Sequence, residues 1–217
     1  MKTLRQLVIL TLAHCSAPVF ATSVQPLFYV GAELGIPFDS DQEDALSQML
    51  VSRLGGSASV TDSTVVKLGR LFGGYKALEM MHVEVGLYQT GESTLRFTGL
   101  ATRPAAFPYA GIVRSSAYGL NYTALFRPGI ASGWNPLFLR LGGQWSRLES
   151  IQTTTTFAGT SSATSIHSGG GLVYGLGYDG SINKTLDWRM QLTRSHRIGG
   201  MPGLNTSVMS IGMVKKF

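Results

Sequence analysis

The sequence predicts an all-β fold: a transmembrane, eight-stranded, antiparallel up-and-down β-barrel. Three observations predict it. Apolar and polar residues alternate with period two in eight successive segments, the connections between those segments alternate between short and long, and only 14% of the residues are charged.

The chain opens with the pattern of an export signal. Lys2 and Arg5 form a positive start, residues 7–13 an apolar core, and Val19-Phe20-Ala21 offers the small residues a signal peptidase requires. Residues 1–21 are therefore expected to be a cleaved signal peptide, and residues 22–217 a single barrel domain. The apolar stretch is shorter than the roughly 20 residues a helix needs to span a bilayer. Cys15 follows His14, where a lipidation box has a small residue, so lipidation is not expected. Cleavage after Ala21 removes Cys15, the one cysteine, and with it any disulfide or thiolate metal site; no cofactor and no metal are expected. Basic residues outnumber acidic ones but are scattered, which speaks for anionic lipid and lipopolysaccharide as partners and against nucleic acid.

The segments follow in order. The first sets Phe28, Val30, Ala32, Leu34 and Ile36 against Tyr29, Gly31, Glu33 and Gly35. The second, about residues 64–75, is the irregular one, because Lys67 and Arg70 lie on opposite faces; Gly69, Leu71, Gly73 and Tyr75 are assigned outward and Arg70 inward. The third sets Met81, Val83, Val85 and Leu87 against His82, Glu84, Gly86 and Tyr88. In the fourth, Tyr118, Leu120, Tyr122, Ala124 and Phe126 oppose Asn121, Thr123 and Arg127, with Leu125 on the polar side. The fifth opposes Leu137, Leu139, Leu141 and Trp145 to Arg140, Gly142, Gln144 and Ser146. The sixth carries Leu172, Tyr174, Leu176 and Tyr178 against glycines and Asp179; the seventh, Leu186, Trp188, Met190 and Leu192 against Asp187, Arg189, Gln191 and Thr193. The last runs from Met209 to Phe217.

Short turns near residues 76–78, 128–136 and 182–185 and longer connections over 37–63, 90–115, 149–168 and 196–205 place both termini on the periplasmic side. A soluble calyx with an apolar interior has the same alternation. Its water-facing wall would be rich in charged residues, whereas here the polar faces are dominated by Gly, Ser and Thr, and aromatic residues cluster near strand ends as interfacial girdles. The expected location is the bacterial outer membrane.

Phe28-Tyr-Val-Gly-Ala-Glu-Leu-Gly in the first segment, Leu71-Phe-Gly-Gly-Tyr75 in the second and a last segment ending at Phe217 together resemble the eight-stranded outer-membrane barrels related to opacity-type surface antigens and to the transmembrane domain of outer-membrane protein A. The resemblance implies that Phe217, with alternating apolar residues before it, is the signal read by the barrel assembly machinery. Lys215 departs from the apolar or aromatic residue usual two places before the end.

On the inward faces, Glu33, Arg70 and Glu84 lie at similar depth on successive strands. Arg140 and Arg189 are placed on the opposite wall, with Asp179 and Asp187 lower. These seven are expected to form a charge-compensated lumen network that plugs the barrel; a gate or ion path is the alternative. His82 is expected to be a hydrogen-bonded structural histidine. Neither His167 with Ser168 nor His196 with Ser195 makes a nucleophile and base, because adjacent residues on a strand face opposite ways. No catalytic residue is therefore expected.

Among the long connections, the first holds Asp39, Asp41, Glu43 and Asp44 and a short surface helix over residues 45–54. The second holds Arg96, Arg103 and Arg114, a candidate loop for lipopolysaccharide phosphates or a surface ligand. The third, residues 152–168, is almost uncharged and is expected to be mobile. The expected function is that of a non-enzymatic surface barrel serving envelope integrity or adhesion through its loops. A narrow channel with a gated, charged lumen is the second reading, and a lipid A-modifying enzyme the third.

Overall fold

The computed structural model describes residues 27–40, 42–62, 67–103, 106–128 and 136–217. The signal-peptide expectation, Cys15 and Asp41 lie outside them.

Ten strands, β1 (Phe28–Ser40), β2 (Ser57–Asp62), β3 (Leu68–Leu78), β4 (Met81–Thr90), β5 (Ser93–Ala101), β6 (Phe107–Phe126), β7 (Leu137–Thr156), β8 (Gly159–Asn183), β9 (Leu186–His196) and β10 (Thr206–Lys216), form one antiparallel sheet. Eight of them, in the order β6-β4-β3-β1-β10-β9-β8-β7, close into a ring through the β6–β7 pairing. Closure leaves no free edge within the bilayer, which is what lets strands cross it. β5 continues the line of β4 along β6, and β2 continues that of β3 along β5. Between β4 and β5 the Gly91 N–H donates to Lys67 O at 2.7 Å, and Thr90 Oγ1 accepts from the Ala117 N–H at 2.8 Å. The wall thus stays bonded through the break.

The outward residues are the predicted ones. Leu34, Ile36, Leu71, Leu87, Leu139, Leu141, Leu172 and Ile211 are all more than half exposed, a belt that only lipid can cover without cost. No helix among the described residues is long and apolar enough to cross a membrane.

Above the belt the structure corrects the expected loops. Most of residues 90–115 belongs to β5 and β6, and most of 149–168 to β7 and β8, which pair continuously down to Gly159 opposite Thr156. Strands β2-β5-β6-β7-β8 therefore rise out of the barrel as a sheet. The helix expected in the first connection is present as α1 (Gln42–Leu54), with Glu43 and Asp44 in its first turn and Arg53 in its last, each matched to the helix dipole. It stops at Gly55, whose φ of +65° is the left-handed conformation of a helix C-terminus. Leu46 and Leu50, one turn apart, are buried with Leu95, Phe97, Ala101, Tyr109 and Val113, the apolar core of this extracellular layer. A second cap lies where the β9–β10 connection folds inward: Ile198 packs on Ala117 and Leu148, and the Gly199 N–H donates to Ser146 Oγ at 2.7 Å.

Candidate functional site: the charged lumen

Side chains alternate across the wall, so every second residue of the eight ring strands enters the lumen. Pairing of β1 with β3 sets Glu33 opposite Arg70, and Arg70 reaches Glu84 on β4. Arg70 Nη1 donates to Glu33 Oε2 at 3.2 Å and Nη2 to Glu84 Oε2 at 2.9 Å. Arg189, on the opposite wall, has partners on both sides of the lumen. Nε and Nη2 form a bidentate pair with Asp179, its register partner on neighbouring β8, at 2.6 and 2.9 Å, while Nη1 crosses the lumen, donating to Glu84 Oε1 and lying 3.8 Å from Glu33. Its guanidinium also stands 5.0 and 4.8 Å from the ring centres of Phe72 and Phe138.

Five of the seven predicted lumen residues, Glu33, Arg70, Glu84, Asp179 and Arg189, are thus joined by ion pairs. Arg140 is in the network through neutral partners, donating to Gln191 Oε1 at 3.1 Å and Asn121 Oδ1 at 3.2 Å. Asp187 is set apart near the periplasmic rim, where it accepts from Lys216 Nζ at 2.8 Å and Ser181 Oγ at 2.9 Å.

Four participants were not singled out from sequence. Arg127 pairs with Asp179, the Tyr29 hydroxyl donates to Glu84 Oε1 at 3.1 Å, Gln191 Nε2 donates to Glu33 Oε2 at 2.6 Å, and Asn121 Oδ1 accepts from both Arg70 and Arg140. Each falls on a polar face in the alternation. What alternation lacks is the stagger of the closed barrel, which decides who meets whom across the lumen. His82 is buried beside Tyr29, with ring centres 5.7 Å apart. Below the network Tyr29, Phe72 and Val214 pack together, and Leu125 and Phe138 are fully buried, closing the periplasmic end.

The remaining candidates lie elsewhere. Arg96 on β5 and Arg114 on β6 are exposed, diagonal neighbours on the outer face of the extracellular sheet, and Arg114 Nε lies 3.7 Å from Glu92. Arg103 follows β5, its N–H bonded to Leu54 O, so these arginines stand on a sheet and its turn and not on one loop. Nε2 of His196 faces the Tyr174 hydroxyl at 3.0 Å, and His167 is exposed on β8. Among the described residues no group of His, Cys, Asp and Glu has the spacing to hold a metal ion. Phe217 is exposed at the periplasmic rim, its N–H bonded to Phe28 O at 3.0 Å.

The family of OmpA-like transmembrane domains matches residues 25–217. Among solved structures, the attachment invasion locus protein Ail of Yersinia pestis is similar with a TM-score of 0.46 and 9% identity, over 89% of this chain and 100% of that one. The outer membrane protein OprG of Pseudomonas aeruginosa gives 0.42 and 14%, over 89% and 97%. Neisserial surface protein A gives 0.38 and 16%, over 88% and 97%. No curated protein matches the sequence.

Proposed function

The chain belongs to the OmpA-like transmembrane domain family, and from that premise we propose that it is a non-enzymatic surface barrel of the bacterial outer membrane that contributes to envelope integrity or adhesion through its extracellular sheet. One observation carries this reading: the molecule is filled at membrane depth and ordered above it. Ion pairs and rings occupy the lumen, while β7 and β8 hold residues 152–167 out as a paired hairpin. Residues 159–168 pair with β7 alone among the described residues and contain no Asp, Glu, Lys or Arg. Their other edge keeps its backbone donors and acceptors for a partner, without the charges that usually guard such edges. Arg96 and Arg114 face outward on the same sheet, suited to lipopolysaccharide phosphates. In this proposal residues 1–21 direct export and are removed, and Phe217 is the assembly signal at the rim.

Replacing residues 152–163 by a two-residue Asn-Gly turn, which keeps Ile151 opposite Thr164, tests the reading. The barrel should still show heat-modifiable migration, and attachment of the expressing bacteria to host-cell monolayers should fall. Unchanged attachment, together with a steady current in planar bilayers or an altered lipid A mass, would replace it with the channel or the enzyme.

A further inference from the structure

Among the buried charged residues of the described part, five are cations, Arg70, Arg127, Arg140, Arg189 and Lys216, against four carboxylates, Glu33, Glu84, Asp179 and Asp187. Four of the cations have a carboxylate within 4.0 Å. Arg140, 3% exposed, does not: among the described residues its hydrogen-bond partners are the amide oxygens of Gln191 and Asn121. A buried guanidinium with only neutral partners keeps its full charge, which is costly away from water. Glu33 is near but committed, since its carboxylate already takes Arg70 and Gln191 and lies beside Arg189.

Directly above the network the lumen contains a cavity of about 40 Å³, lined by Arg140, Gln144, Gln191, Thr193, Ser195 and Ser210 together with the Glu33–Arg70 pair. Arg140 Nε, Gln144 Nε2 and Ser210 Oγ are buried there with no hydrogen-bond partner among the described residues. Two of these are donors only and the third can donate. A surplus positive charge and unmatched donors thus line one small cavity. We propose that this cavity is a binding site for a small monovalent anion of halide size, which serves as the counter-ion of Arg140. The volume sets the size, because one water occupies about 10–15 Å³ on this kind of measure. A halide with a water or two fits, and a carboxylated sugar does not.

The site is tested on the mature, refolded barrel in detergent by thermal unfolding at constant ionic strength while gluconate is exchanged for chloride. A ligand of the folded state alone raises the melting temperature, by roughly 3–5 °C for each tenfold rise in chloride above its dissociation constant. Arg140→Gln should remove this dependence. Ser210→Asp places a carboxylate in the same cavity and should also remove it, while raising the melting temperature in gluconate. Gln144→Leu, which deletes a donor and leaves the charge, should weaken the dependence and stands in for Arg140→Gln if that variant does not fold. In crystals grown with bromide, an anomalous peak should lie beside Arg140 Nε. Equal melting temperatures in chloride and gluconate, or a chloride response undiminished in these variants, would overturn the proposal.

Discussion

Arg189 organises the lumen because it bridges the two carboxylate clusters, Asp179 on one side and the Glu84–Glu33 pair on the other. Removing one partner of a buried pair costs about 3–5 kcal/mol, since the other charge is left without compensation. Arg189→Met should therefore lower the urea midpoint of unfolding more than Arg114→Met, whose partner Glu92 is exposed and screened. The double variant Arg189→Met with Glu84→Gln should lose less than the two singles summed, because the second change removes a charge the first exposed. Strict additivity in urea-unfolding cycles would mean that the two do not interact. The sequence discloses the depth of Glu33, Arg70 and Glu84 through alternation alone. It does not disclose that Arg189 crosses the lumen, because that contact spans 105 residues of chain and depends on barrel stagger.

Elements were legible where lipid dictates their pattern and obscure where water does. In the bilayer the apolar face of each strand points out, so Leu34 or Leu139 marks a strand at once. Beyond it the polarity inverts. Leu95, Phe97, Tyr109 and Val113 continue the alternation of β5 and β6 but point inward, under α1, while Arg96 and Arg114 point out. A reading tuned to apolar-out strands stops at that inversion and names a loop. Residues 152–168 were opaque for another reason: both faces of that hairpin meet water, so no apolar alternation remains, and only the strand preference of threonine marks it. The extracellular layer thus has a core of its own, which predicts separable stabilities. Leu50→Asp puts a carboxylate into that core and should undock α1, speeding protease cleavage within residues 42–62. The heat-modifiable migration of the barrel should not change. If cleavage stays slow, the helix is held by something other than its apolar face; if the barrel also melts, the layers are one cooperative unit.

Across the whole molecule the closures stack along one axis: the aromatic and apolar layer of Tyr29, Phe72 and Val214, the ion-pair network, and the extracellular cap of Ile198 on Leu148. An eight-stranded barrel is just wide enough for side chains to fill, so no wide aqueous path can bypass these layers without moving them. Opening a pore would require several buried pairs to part together, each at a cost that hydration of the lumen lowers but does not remove. The refolded protein in a planar bilayer should accordingly show little or no steady current. Selectivity gives the sharper test of the network. Arg70→Ala combined with Arg189→Ala removes two of the buried cations and leaves Glu33, Glu84 and Asp179 short of partners, so carboxylates outnumber cations in the lumen. Mutual repulsion should then loosen the plug and admit water. The openings that follow should select cations, because the field along the path has become negative. A large steady current from the unmutated protein would show that the layers do not seal, and an anion-selective current from the double variant would show that ions follow a route the network does not line.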